Sequence, residues 1–312
     1  MNESLILSHL EISSRFKTYV TVVGLYDGGE MTKEVMAINL QRSKDITNIQ
    51  DLPYSILYKG GAAAVYANTM YVTGIGSNSD EIWKYNMASS WMKCASLVQS
   101  RHQHSAAFIG EVLYICGGFA HYNRSILFSV EAFNAETNEC TTIGQLILGI
   151  DKSGNCVPFK SSLYIFGGKD GHDCRVQVYN TKDNTCTLLL EPMPRSLNWG
   201  RAVLSGTSVI FLGFETCFIL NLESGVWQER KQFKTDVDYF GLILDNERVF
   251  VIGGGKGYKD EDGNGIWTCR DDVRYVPLRN IIEDRPTEWK FHATLPRPSL
   301  IDVCAILTLS VV

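Results

Sequence analysis

Leu113-Tyr114-Ile115-Cys116-Gly117-Gly118 decides the fold, because it recurs. The same strand-like run closing on glycine appears as Val20-Thr21-Val22-Val23-Gly24, Met70-Tyr71-Val72-Thr73-Gly74 and Leu163-Tyr164-Ile165-Phe166-Gly167-Gly168. It returns as Val209-Ile210-Phe211-Leu212-Gly213 and Val249-Phe250-Val251-Ile252-Gly253-Gly254. The first glycines stand at 24, 74, 117, 167, 213 and 253. A period of about 40 to 50 residues is that of propeller blades, whereas helical repeats run at about 33 or 34.

Most copies have similar neighbours. Upstream lies a run of small and apolar residues ending in a polar turn, as in Ala62-Ala63-Ala64-Val65 before Asn68-Thr69 and Ser105-Ala106-Ala107-Phe108 before Gly110-Glu111. Turn chemistry of this kind predicts a hairpin. Downstream, a third strand ends in Ile38-Asn39, Tyr85-Asn86, Phe133-Asn134, Tyr179-Asn180 and Leu220-Asn221, the sixth copy departing at Tyr275-Val276. A fourth strand then begins near Trp91, Cys140, Cys186, Trp227 and Trp289.

Four strands per unit make one blade, and a blade cannot bury both faces alone, so six of them must stack around an axis. The first unit lacks its innermost strand, since residues 11–18 are largely polar. The tail from Arg297 to Leu307 resembles Arg101 to Phe108 in type. The tail is therefore expected to be the inner strand of the first blade, closing the ring. The expected organisation is an N-terminal segment at 1–18, partly ordered at best, and a single propeller at 19–312. The expected class is all-β, with four antiparallel strands in each of six blades.

The double glycines (117–118, 167–168, 253–254), the Tyr-Asn endings at 85–86 and 179–180, and the spaced Trp91 and Trp227 resemble the kelch repeats, specifically the six-bladed propellers of BTB-kelch proteins. The resemblance covers nearly the whole chain. Departures are the single glycines at 24, 74 and 213, and cysteine at 140 and 186 where that family usually has tryptophan; a thiol fills an apolar site with a smaller contact.

Composition fits this reading. The chain has 312 residues, 29 Lys plus Arg against 34 Asp plus Glu, a net charge of −5, and 45% hydrophobic residues. That balance argues against a nucleic-acid binder and against disorder. The apolar stretches at 5–10 and 303–312 fall short of the roughly 18 residues a spanning helix needs, so no membrane segment is expected. Nine widely spaced cysteines, odd in number and with no Cys-x-x-Cys pair, point to free thiols in a reducing compartment, and a cytoplasmic location is expected.

Two motifs invite a metal. His102 and His104 would share a strand face, but no third ligand accompanies them. Asp260, Asp262, Asn264, Gly265 and Asp271 nearly match a calcium loop, with Asp in place of the bidentate Glu and strand-like flanks where helices belong. A solvated acidic loop is the reading favoured here. No G-x-S-x-G elbow, H-E-x-x-H or lysine-bearing P-loop is present. No enzyme activity, cofactor or metal is expected.

Function is then expected in the loops that a rigid scaffold positions. The resemblance implies a partner surface made by loops after the second strands together with the connections between blades. The first set contributes Tyr26, His121, Tyr122, Arg124, Lys169, His172 and Tyr258; the second contributes Tyr58, Arg101, His102, Asn198, Trp199, Tyr239 and Arg297. Tyr, Trp and Arg dominate desolvated hot spots. The role the resemblance implies is substrate recognition for a cullin-3-type RING ubiquitin-ligase adaptor, binding a protein or short degron. Cullin would be reached only through BTB and BACK segments that these 312 residues do not include. A cytoskeletal or signalling scaffold and a kelch-type copper oxidase are the alternatives. No nucleic-acid or membrane partner is expected.

Overall fold

The computed structural model describes residues 16–26, 31–54, 61–75, 78–150, 155–168, 174–196, 200–259 and 265–310. The chain forms six four-stranded antiparallel sheets, with two additional two-stranded ribbons. In the second blade the strands run, from the axis outward, Ala62–Tyr66, Thr69–Ile75, Glu81–Tyr85 and Met92–Ser96. The inner strands touch one another in cyclic order around the axis: Ser299–Ser310, Ala62–Tyr66, Ser105–Ile109, Asn155–Phe159, Arg201–Ser205, Gly241–Leu244, and back to Ser299–Ser310. This is a six-bladed β-propeller.

The closure expected from the sequence is present. Ser299–Ser310 pairs along the whole of Phe16–Tyr26, from Phe16 opposite Ser310 to Tyr26 opposite Ser299. The first strand thus starts at Phe16, three residues before the boundary read from the sequence, because its partner is long enough to pair with those residues. Residues 1–15 lie outside the described residues.

The hydrophobic interior is a ring of six clusters, one at each seam between neighbouring blades. Met36, Ile38 and Leu40 of the first blade meet Phe250, Ile252 and Val273 of the sixth. Tyr71 and Ile82 of the second meet Leu113, Ile115 and Phe133 of the third. Each fully buried large side chain contributes roughly 1.5–3 kcal/mol, so stability rests on stacking, and an open ring leaves two faces wet.

The recurrent asparagines now have a physical cause. The side-chain oxygen of Asn134 accepts the backbone N–H groups of Glu136 (2.8 Å) and Thr137 (3.0 Å). Asn39, Asn86, Asn180 and Asn221 do the same two residues on. Each makes the Asx turn that reverses the chain into the fourth strand. In the sixth blade Pro277 stands at that place, and a five-residue helix, Leu278–Ile282, makes the connection.

The double glycines combine a left-handed backbone with the close approach of a neighbouring connection. Gly118 has φ +89°, and a Cβ there would lie 2.6 Å from the His102 carbonyl oxygen; Gly254 has φ +96° and a Cβ would lie 2.8 Å from that of Asp238. The left-handed conformation and the contact with the incoming connection both demand glycine.

One sequence reading is corrected. Tyr258 was expected in a loop after a second strand, but Gly255–Lys259 and Gly265–Cys269 form an antiparallel ribbon on the sixth blade. Five consecutive pairs, Gly255 with Cys269 through Lys259 with Gly265, absorb the backbone groups that a loop would leave to solvent. The flanks of the calcium-like segment are therefore strands. Residues 260–264 lie outside the described residues.

Candidate functional site

The two sets of loops converge on one rim. Among the described residues, the backbone of three connections bonds to a loop between second and third strands: Arg101 N–H to the Ser79 carbonyl (2.9 Å), Met193 to Cys174 (2.7 Å), Ser299 to Arg270 (2.9 Å). Arg101–His102 also forms a ribbon with Phe119–Ala120 of the third blade. Asp238 bridges Gly255 in the sixth blade, and Phe214 bridges Thr235 in the fifth. These cross-links hold the variable segments on the scaffold. At the axis a cavity of about 160 Å³ is lined by residues of all six inner strands, among them Ala62, Ala106, Cys156, Arg201, Gly241 and Cys304. The small side chains there follow from crowding toward the axis.

Arg101 was expected at the rim as a contact, and the structure places it inside. Its side chain is fully buried, ion-paired with the equally buried Glu131, and donates to the Gly117 carbonyl (3.0 Å) and the Ser129 carbonyl (3.2 Å). Glu131 in turn accepts the N–H groups of Val98 (2.8 Å) and Gln99 (3.1 Å). Every lone pair and proton is used, the condition under which a buried ion pair is tolerated. Arg101 fixes the connection on the third blade and offers nothing to a partner.

In the fourth blade Gln177 takes the place of Glu131, accepting from Leu148 N–H (2.7 Å) and donating to its carbonyl (2.9 Å). Cys140 and Cys186, which stand where the second and fifth blades have Trp91 and Trp227, lie against these two side chains at 3.5 and 3.8 Å. Burial, reinforced by the Glu131 carboxylate, pushes the Cys140 thiol up to about 12. It is a packing group, not a nucleophile.

His102 is buried with its ring stacked on Phe119 at 5.7 Å. Burial, then the nearby His121 and Arg124, lowers its pKa. His104 is fully buried and bonded through Nε2 to Thr73 Oγ1 at 2.7 Å; burial, then Arg101 and His102, depress it to about 3. Among the described residues no group of three or more His, Cys, Asp or Glu could hold a metal. All nine cysteines are free thiols.

Other expected residues reach the surface. Tyr122 is 76% exposed and meets the His121 ring edge-on at 5.0 Å, while His121 Nδ1 lies 3.1 Å from Ser79 Oγ. Arg124 is exposed in the same loop at φ +52°. Tyr258 is 50% exposed. Arg297 is exposed and pairs with Glu34 at 3.0 Å. Tyr26 ends the first strand on this rim, opposite Ser299. Tyr239 is half-buried and packs edge-on against Trp267 at 5.0 Å, a seam contact more than a free one. Tyr58, Lys169, His172, Asn198 and Trp199 lie outside the described residues.

The sequence reading missed the outward face of the sixth-blade ribbon, with Ile266 and Thr268, and the charge cluster of Asp236, Arg270, Asp272 and Arg274 beneath it. The signal was there in Lys256-Gly257-Tyr258 and Ile266-Trp267-Thr268, two alternating runs on either side of turn-forming residues.

Comparison with known proteins agrees with this architecture. Residues 100–146 match the Kelch motif. Kelch-like protein 35 of Mus musculus is 27% identical over 208 residues, covering 65% of this chain and 35% of the relative. Kelch-like protein 25 of Xenopus tropicalis is 26% identical over 234 residues, covering 68% and 39%. The chain thus spans little more than a third of the length of these curated relatives. Among solved structures, "Structure of YjhT" superposes with a TM-score of 0.61 at 15% identity, over 72% of this chain and 83% of that one, a likeness of fold.

Proposed function

We propose that this kelch-repeat propeller is a protein-interaction domain whose loop rim captures a protein partner, as the substrate-recognition part of a cullin-3-type RING ubiquitin-ligase adaptor. The observation that carries the reading is the rim itself. Among the described residues, several connections and second-strand loops are bonded to one another, yet the rim presents Tyr122, Arg124, Tyr258 and Arg297 to solvent. Held aromatic and guanidinium groups lose little entropy on binding and supply large contact area. The likeness to Kelch-like proteins supports the same use.

The adaptor role draws its support from the family resemblance rather than from any residue of the propeller. The same rim would serve a scaffold equally well. The two readings separate on what happens to the client. Ubiquitylation of a rim-bound protein that falls in cells when Tyr122 and Arg124 are changed to alanine, with cullin-3 recovered in the same complex, supports the adaptor. A client that binds the rim with unchanged ubiquitylation and no cullin-3 in the complex overturns it in favour of the scaffold.

A further inference from the structure

The two faces of the sixth-blade ribbon differ. Strand alternation places Gly257 and Trp267 on one face, where the ring covers the glycine and meets Tyr239. Lys256, Tyr258, Ile266 and Thr268 share the other face, paired as Lys256 with Thr268 and Tyr258 with Ile266, and all four are exposed. Beside this outward face runs a groove of about 510 Å³, lined by Asp236, Val237, Lys256, Tyr258, Thr268 and Arg270.

The charges of the groove are unevenly matched. Asp236 is held by Arg270 (2.5 Å) and Arg274 (3.1 Å), and both guanidinium groups also bond Asp272. Two acids and two arginines neutralise one another. Lys256 Nζ lies 5.5 Å from the centre of the Phe214 ring and is in none of the ion pairs made among the described residues. Among the described residues lining the groove, Lys256 is therefore the cation left outside that cluster, set next to Tyr258 (50% exposed) and Ile266 (38% exposed).

We propose that this groove receives a peptide segment in which a large apolar side chain stands next to a carboxylate, the apolar group against Tyr258 and Val237 and the carboxylate on Lys256. Deepening the loop-rim reading, on which it rests, this assigns the sixth blade a partner chemistry. A single carboxylate matches the one positive charge of Lys256, beside a cluster that is already neutral, better than a doubly charged phosphate does. A basic segment would set like charges together at Lys256.

The test is selection of a random displayed peptide library on the intact chain, followed by affinity measurement of the enriched peptides on variants shown by thermal melting to be folded. The expected peptides carry Asp or Glu beside Leu, Ile or Phe. Their affinity should fall about tenfold on Lys256→Gln and on Tyr258→Ala, be retained on Lys256→Arg, and be unchanged by Lys182→Gln on the opposite rim. Peptides that are basic, or that need Tyr122 and ignore Lys256 and Tyr258, overturn the groove while leaving the rim reading intact. Peptides that respond only to changes on the opposite rim overturn both. A library that yields no enrichment overturns the groove.

Discussion

Thr21 and Ala305 stand 284 positions apart in the chain and opposite one another in one sheet, with the Thr21 hydroxyl donating to the Ala305 carbonyl at 3.2 Å. The first and last described strands thus form the inner half of a single blade. Every other blade is closed by local hairpins; this one is closed by the two ends of the chain.

Removal of residues 299–312 should therefore destabilise more than its own blade. Leu300, Ile301, Ala305 and Leu307 are buried, and their loss uncovers the seams on both sides. The expected loss is on the order of several kcal/mol from these apolar groups alone, seen as a broad, low thermal transition. A truncated chain that melts as sharply and as high as the intact one would contradict the closure.

Glu131→Ala should cost about 3–5 kcal/mol, because it leaves the Arg101 guanidinium buried and unpaired. The double variant Arg101→Met with Glu131→Leu should recover much of that loss, since no charge is then stranded. Denaturant unfolding of the two variants decides the matter; equal destabilisation would show that the ion pair is not what holds the connection.

Acid should weaken the fold partly through His104. Its folded pKa is about 3 against an ordinary 6.5, so the unfolded chain binds a proton that the native state refuses. The stability it confers is complete above about pH 6.5 and is lost as the pH falls toward 3, by an amount on the order of a few kcal/mol. His104→Gln keeps a hydrogen-bonding side chain for Thr73 and should flatten this dependence. An unchanged slope between pH 3 and 6.5 would mean that other groups carry it.

Asp238 acts with the opposite sign. Burial raises its carboxyl to about 6 from an ordinary 3.8, and its Oδ1 has no hydrogen-bond partner among the described residues. The native state holds a proton that the unfolded chain releases, so stability falls as the pH rises from about 4 to 6 and stays lowered above. For a half-exposed group screened by solvent the cost is about 1 kcal/mol. Asp238→Asn should raise the melting temperature at pH 7 and leave it unchanged at pH 3.5; a lowered value at pH 7 would reveal a bond made by the carboxylate.

Much of this architecture was legible in the sequence because propeller geometry writes itself locally. The glycines at 117–118 and 253–254 are forced by backbone angle, the asparagines by turn hydrogen bonds, and the small inner strands by crowding at the axis. Arg101 shows where that reading stops. Nothing in Arg101 to His104 distinguishes a guanidinium facing solvent from one buried on Glu131, which stands 30 positions away on a third strand. The cysteines at 140 and 186 read as degenerate tryptophan sites, whereas in space they lie against Glu131 and Gln177. The outward face of the ribbon was hidden because its strands flank residues 260–264, whose acidic, glycine-rich composition reads as loop.

The measurement that tests the loop rim most directly is a comparison of proteins recovered by proximity labelling in cells with three folded forms of the chain. One is unaltered, one carries alanine at His121, Tyr122, Arg124, Tyr258 and Arg297, and one carries alanine at Glu136, Lys182 and Glu223 in the turns of the opposite rim. The account predicts a set of proteins lost from the loop-rim variant and kept by the opposite-rim variant. Proteins kept by the first and lost from the second would place the functional surface on the other side of the propeller and contradict it.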